Sequence, residues 1–276
     1  MTLQTIVVPV DGSTLALRAV PAAATLAAAA HAKVRLLSVA RNDGELAWAY
    51  DQVQTAAGRL PAEMTSAADV FVDGDPVRVL LDTGAEPGNV LCFSTHDQPW
   101  MASELLGRVG SRVVQRAAHP FLVVAPNGTP SVPGDDVVVA LDGVTDPDPV
   151  LSTAVEWARQ LGTGLRIVTV FEPTPADLRQ PDHYSRLHGP PSDPDEYLQG
   201  VQRGVDRAGL TSCTTAAIAD PVSVAVGLAE HLADRPACLL VLGGPRRRLR
   251  WPSTVVRDLL RASPPPMLIA QFHGQL

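Results

Sequence analysis

The sequence predicts an α/β fold made of two tandem, doubly wound domains, each built on a mainly parallel five-stranded sheet. Three observations carry this. Short apolar runs alternate with longer helix-like stretches along the chain. One strand-and-turn signature is written twice, IVVPVDGS at residues 6–13 and VVVALDGV at 137–144. The chain has 276 residues and is 46% hydrophobic, enough for two ordinary domains that each bury a core.

The first unit reads in order as strand Ile6–Val10, helix Thr14–Ala32, strand Val34–Ala40, helix from about Gly44 to Arg59, and strand near Ala68–Val72. Helix Pro76–Thr83, strand Asn89–Phe93, helix Gly107–Ala118 and strand Phe121–Val124 complete it. Strands that are apolar throughout, rather than alternating, belong to a parallel sheet covered on both faces. The second unit repeats the pattern, with strands at Val137–Leu141, Leu165–Phe171, Thr211–Ala216, Leu239–Leu242 and Met267–Ala270.

The echo extends to Asp75-Pro76-Val77 against Asp220-Pro221-Val222, and to His119-Pro120-Phe121 against Pro265-Pro266-Met267. In each Asp-Pro pair, proline suits the first helical turn and the aspartate is expected to cap it. The Gly-, Pro- and Asp-rich stretch from Asn127 to Asp136 reads as a linker, with a boundary near Gly134. The second unit is longer because of a Pro-rich insertion from Pro173 to about Asp195, read as a solvated loop; Tyr184 and Tyr197 leave a lid over the second site open.

Composition excludes several functions. A net charge of −7 and a pI near 5.4 argue against nucleic-acid binding, which needs a concentrated positive surface. The apolar runs are far shorter than the roughly 18 residues that span a bilayer. The amino terminus has neither the basic patch nor the apolar core of a secretory signal, so a cytoplasmic location is expected. Cys92, Cys213 and Cys238 are scattered and lack zinc or disulfide spacing, and the histidines show no metal-ligand spacing. No metal site is expected.

In open parallel sheets ligands gather beyond the carboxyl ends of the strands, where strand order reverses. Asp11, Gly12 and Ser13 stand there in unit one. So do Val39, Ser94 and, at the start of the last helix, Gly107, Arg108 and Val109. Asp11 either accepts a hydrogen bond from a ligand amine or hydroxyl or caps the following helix; spacing alone does not choose. No G-x-x-x-x-G-K-[ST] occurs and the only lysine is Lys33, which excludes a P-loop. A dinucleotide fold is excluded by the acids that follow each first strand, where a pyrophosphate would sit. His96, Ser94 and Asp97 are neighbours on one loop, a poor arrangement for a catalytic triad, so no catalytic residue is assigned.

Val8-Pro9-Val10-Asp11-Gly12-Ser13, Gly74-Asp75-Pro76, Leu105-Leu106-Gly107-x-Val109 and the closing His119-Pro120-Phe-Leu-Val-Val resemble the universal stress protein family, with the whole chain read as a tandem pair: residues 1–127 and 136–276. The resemblance implies a fold of the adenine-nucleotide α-hydrolase-like type and, in ATP-binding members, glycine, two residues, glycine, nine residues, glycine and a hydroxyl residue. Glycines there let main-chain amides approach phosphates. Here Ser94 stands at the first glycine, Asp97 at the second, Gly107 at the third and Arg108 at the hydroxyl position. In unit two Gly243 keeps the first glycine, Arg246 replaces the second, the spacer is shortened, and Ser253-Thr254 stand at the last pair.

The expected cofactor-binding residues are therefore Val10, Asp11, Val39, Ser94, Gly107, Arg108 and Val109 in unit one. In unit two they are Leu141, Asp142, Val170, Gly243, Arg246, Ser253 and Thr254. The expected ligand is ATP or another adenine nucleotide, held weakly or not at all, and better in the second unit, where Thr254 and the arginines at 246–248 remain. The function expected is a stress-response regulator or binding protein with degenerate nucleotide sites. A nucleotide-free interaction scaffold is the main alternative, and an adenine-nucleotide hydrolase a remote one. The resemblance further implies that Phe121–Val124 and Met267–Ala270 meet as an internal pseudo-dimer, beside a protein partner of unspecified kind or a homodimer.

Overall fold

The computed structural model describes residues 2–64, 66–95, 106–128, 134–143, 146–171, 193–206, 210, 212–220, 223–244 and 252–270. The Pro-rich insertion, apart from its end, and residues 129–133 of the linker lie outside these residues, as do His96, Asp97 and Arg246.

The first half contains β1 (Thr5–Pro9), α1 (Ala19–Ala29), β2 (Lys33–Ala40), α2 (Leu46–Ala57), β3 (Ser66–Val72), α3 (Pro76–Ala85), β4 (Asn89–Ser94), α4 (Gly107–Arg116) and β5 (Phe121–Val124). The second contains β6 (Val137–Leu141), α5 (Asp148–Leu161), β7 (Leu165–Phe171), α6 (Pro194–Asp206), β8 (Cys213–Ala219), α7 (Val224–Asp234), β9 (Leu239–Gly243), α8 (Thr254–Arg261) and β10 (Met267–Ala270). All ten strands form one sheet in the order β3-β2-β1-β4-β5-β10-β9-β6-β7-β8. Each half is parallel within itself, and the halves join by antiparallel pairing of β10 with β5: Met267 opposite Val123, Leu268 opposite Leu122, and Ile269 opposite Phe121. The edges of β5 and β10 are thereby used within the chain, which leaves β3 and β8 as the terminal strands.

Alternation along the strands divides the core between the two faces. Ile6, Val8, Leu122, Leu268 and Val139 pack with α1, α2, α5 and α6, whereas Val7, Phe121, Val123, Ile269 and Val138 pack with α3, α4, α7 and α8. Burial on both sides is why the central strands are mainly apolar. Trp157 of α5, fully buried, is the largest side chain in this interior.

Several element ends differ from the sequence reading by a few residues, and four differences have a clear local cause. The helix expected from Thr14 begins as a 3-10 turn at Ala16–Arg18 and becomes α-helical only at Ala19, with Pro21 in the first turn, where its missing N–H is harmless. The helix expected from Gly44 likewise opens with a 3-10 turn at Asp43–Glu45, where Asn42 Oδ1 accepts from Gly44 N. β8 runs from Cys213 to Ala219 rather than 211–216, because parallel pairing with β7 places Leu165 opposite Cys213 and Phe171 opposite Ala219. Asp75 caps α3 as expected, accepting from Val77 N at 3.1 Å, but α7 is capped by Ser223, and Asp220 instead accepts from Ser223 N.

Candidate functional site

Strand order reverses between β1 and β4 in the first half and between β6 and β9 in the second. Because β2 and β4 flank β1 on opposite sides, their connecting segments leave in opposite directions and open a crevice at the strands' carboxyl ends. A cavity lies at each crevice, of about 620 Å3 in the first half and about 380 Å3 in the second.

The first cavity gathers every residue expected there: Val10, Asp11, Val39, Ser94, Gly107, Arg108 and Val109. At the β1 end, the Asp-Gly turn needs glycine, since Gly12 has a φ of +79° and a Cβ there would come 2.7 Å from Gln52 Oε1. Asp11 does not cap a helix through its own side chain. Its Oδ1 accepts from Ser13 N at 3.0 Å and Ser13 Oγ at 2.6 Å, and Ser13 Oγ in turn accepts from Ala16 N. The carboxylate is thus fixed in orientation while remaining exposed at the cavity mouth.

At the opposite end β4 delivers Ser94, which is 5% exposed and whose Oγ has no hydrogen-bond partner among the described residues. An unmatched buried hydroxyl is costly to leave empty. α4 begins beside it, and its N-cap, Leu106, offers no side-chain acceptor, so the amides of the first turn lack a side-chain cap. Gly107 has a φ of +68° and Arg108 is exposed next to it. Cys92 and Phe93 add apolar wall; burial pushes the Cys92 thiol up to about 12, so it is uncharged. The cavity therefore has an acceptor at one end, apolar walls, and a positive, donor-rich end at α4.

Sequence reasoning missed three rim residues, Arg41, Glu45 and Trp48. They follow β2, in the segment that closes over the crevice; Glu45 Oε2 accepts from Arg41 N at 3.0 Å. Only the general rule that residues just past each strand face the crevice pointed toward Arg41; nothing in the local sequence marked Trp48.

The second cavity is lined by Leu141, Asp142, Val170, Gly243 and Ser253, as expected, with Asp146 and Pro147 in addition. Thr254 is not among the described residues that line it. As the first residue of α8 it is exposed, and the crevice is faced instead by the N-cap, Ser253, whose Oγ accepts from Val256 N at 3.3 Å. Arg246 lies outside the described residues. The charged residues among the described lining are Asp142 and Asp146. Tyr197 of α6 stands near both: its hydroxyl is pushed up to about 12 by burial and then by these two carboxylates. Among the described residues the larger cavity, and the one with a cationic end, is in the first half, whereas the residue inventory favoured the second. Among the described residues no group of three or more His, Cys, Asp or Glu is placed to hold a metal ion, and no helix is long and apolar enough to cross a membrane.

The sequence profile of the universal stress protein family matches residues 2–125, which cover β1 to β5 and all the residues expected at the first cavity. Residues 2–125 are a universal stress protein domain. A universal stress protein from Archaeoglobus fulgidus DSM 4304 has the same architecture across both halves, with a TM-score of 0.68 at 15% identity, covering 97% of this chain and 98% of that one. A putative universal stress protein from Pseudomonas aeruginosa UCBPP-PA14 gives 0.56 at 13% identity, covering 98% and 93%. A universal stress protein solved in complex with cAMP is 31% identical over 45% of this chain and 98% of its own, with a TM-score of 0.38. None of the curated proteins compared matches the sequence.

Proposed function

We propose that this universal stress protein is a binding protein, a stress-response regulator rather than a catalyst, that takes an adenine nucleotide into the first-half cavity. It is organised as two units, residues 1–127 and 136–276. The observation that carries this reading is the 620 Å3 cavity at the strand-order reversal, of a size suited to a small ligand and polar at opposite ends. The base lies between the apolar walls, with its amine donating to Asp11. The phosphate lies at the α4 end, against Arg108, Ser94 Oγ and the amides of Gly107 and Val109. Val10 and Val39 supply contact area. The second cavity is smaller and carries a further carboxylate, Asp146, beside the Asp11 counterpart Asp142, so binding there is weaker than in the first.

Calorimetric titration with ATP and AMP tests the reading. One nucleotide binds per chain, and Arg108→Ala weakens binding by about tenfold or more, the loss of a charge-assisted hydrogen bond. Absence of heat and of any thermal shift at millimolar nucleotide would sink it.

A further inference from the structure

We infer that Trp48 is a recognition residue of the first cavity, the platform on which the ligand's planar base stacks; this rests on the nucleotide reading given above. Aromatic residues are scarce here, 4% of the chain, yet Trp48 is 44% exposed. The fold does not use the ring as core: α2 buries Ala49, Val53 and Ala56 against the sheet, leaving Trp48 off that face. Of the exposed large apolar side chains among the described residues, Trp48, Tyr50, Phe71, Val72 and Val226, only Trp48 lines this cavity.

Its placement is held from below. A Cβ at Gly12 would meet Trp48 Cζ2 at 3.3 Å, so the indole edge rests against the bare backbone of the Asp-Gly turn that carries Asp11. The indole and the Asp11 carboxylate therefore stand at the same end of the cavity, with Val39 and Arg41 at the end of β2. A ligand that donates from an exocyclic amine to Asp11 has its ring within reach of the indole. A planar ring seated on the indole covers area that is otherwise left in water. Stacking is tolerant of ring identity, so Trp48 selects for a planar heterocycle and Asp11 for one that carries a donor.

The test uses the full chain, AMP as the probe, and two variants. Trp48→Ala weakens AMP binding by about tenfold or more, the loss expected for one base stacked on an aromatic side chain, while Trp48→Phe keeps it within about threefold of the wild type. AMP quenches tryptophan emission in the wild type and leaves it nearly unchanged in Trp48→Phe, which still binds by calorimetry. If wild type binds AMP and Trp48→Ala binds it equally well, or if Trp48→Phe quenches as fully as the wild type, the stacking role is wrong and the nucleotide reading stands. If wild type binds no AMP, the nucleotide reading itself has failed and the stacking role falls with it.

Discussion

The antiparallel junction of β5 and β10 predicts energetic coupling between Leu122 and Leu268. These leucines are opposite each other across the junction, both fully buried and on the face covered by α1 and α5. Truncating either to alanine removes buried methyl groups and leaves a cavity, at a cost of about 2–5 kcal/mol. Directly opposed side chains in a sheet lie roughly 4.5–5.5 Å apart between Cβ atoms, close enough to contribute about 0.5–1 kcal/mol to each other. The double variant Leu122→Ala/Leu268→Ala should therefore lose less stability than the sum of the single variants by about that amount. Leu165 on β7 is the control, because it lies four strands from β5, roughly 19 Å at the usual strand spacing. Its truncation should add to that of Leu122 without coupling. The assay is urea denaturation with midpoints compared at constant slope. Full additivity for the Leu122–Leu268 pair, or single losses below about 1 kcal/mol, would refute this packing of the junction.

Burial also orders the thiols by reactivity. Cys92 and Cys238 are each pushed up to about 12, mainly by burial, so at pH 8 roughly one molecule in ten thousand carries the thiolate that attacks an alkylating reagent. Peptide mapping after native alkylation should find half-buried Cys213 modified first and the other two only after unfolding; rapid native labelling of Cys92 would contradict its burial. His231 is held below its ordinary 6.5 by burial first, then by the Arg166 and Arg235 charges, with Asp234 opposing. The folded state thus binds fewer protons than the unfolded state below pH 6.5, so stability is full above that value and declines as pH falls. Thermal melts of His231→Gln should show a shallower decline as pH falls below about 6.5 than the wild type, and parallel curves would reject the assignment. Removing the α3 cap by Asp75→Ala should cost about 1 kcal/mol in urea denaturation, and no loss would mean that the Asp75–Val77 hydrogen bond adds nothing.

The strands were legible where burial on both faces writes an unbroken apolar run ended by a turn residue. Phe121–Val124, Val137–Leu141, Leu165–Phe171 and Met267–Ala270 have the bounds the sequence predicts. β8 slipped because its Thr- and Ala-rich run has no sharp edge of its own, and its bounds come from β7 beside it. The starts of α1 and α2 were misplaced for a related reason: a 3-10 turn shares the composition of the helix it leads into. At the site, Asp11, Val39, Ser94, Asp142 and Val170 were legible because a parallel sheet brings its carboxyl ends to one place. Trp48 and Glu45 were not. They reach the cavity because the start of α2 packs against the turn at Gly12, a tertiary contact with no local spacing. Of the pair Ser253-Thr254, the N-cap Ser253 lines the crevice and Thr254, one residue on, is exposed, a distinction set by the helix start that spacing does not show.

The most direct test of nucleotide binding in the first half is a crystal structure grown with millimolar AMP. The expected result is density in the first cavity, with the base beside Asp11 and Trp48 and the phosphate beside Gly107 and Arg108. An empty first cavity, or nucleotide seated only in the second half beside Asp142 and Asp146, would contradict it.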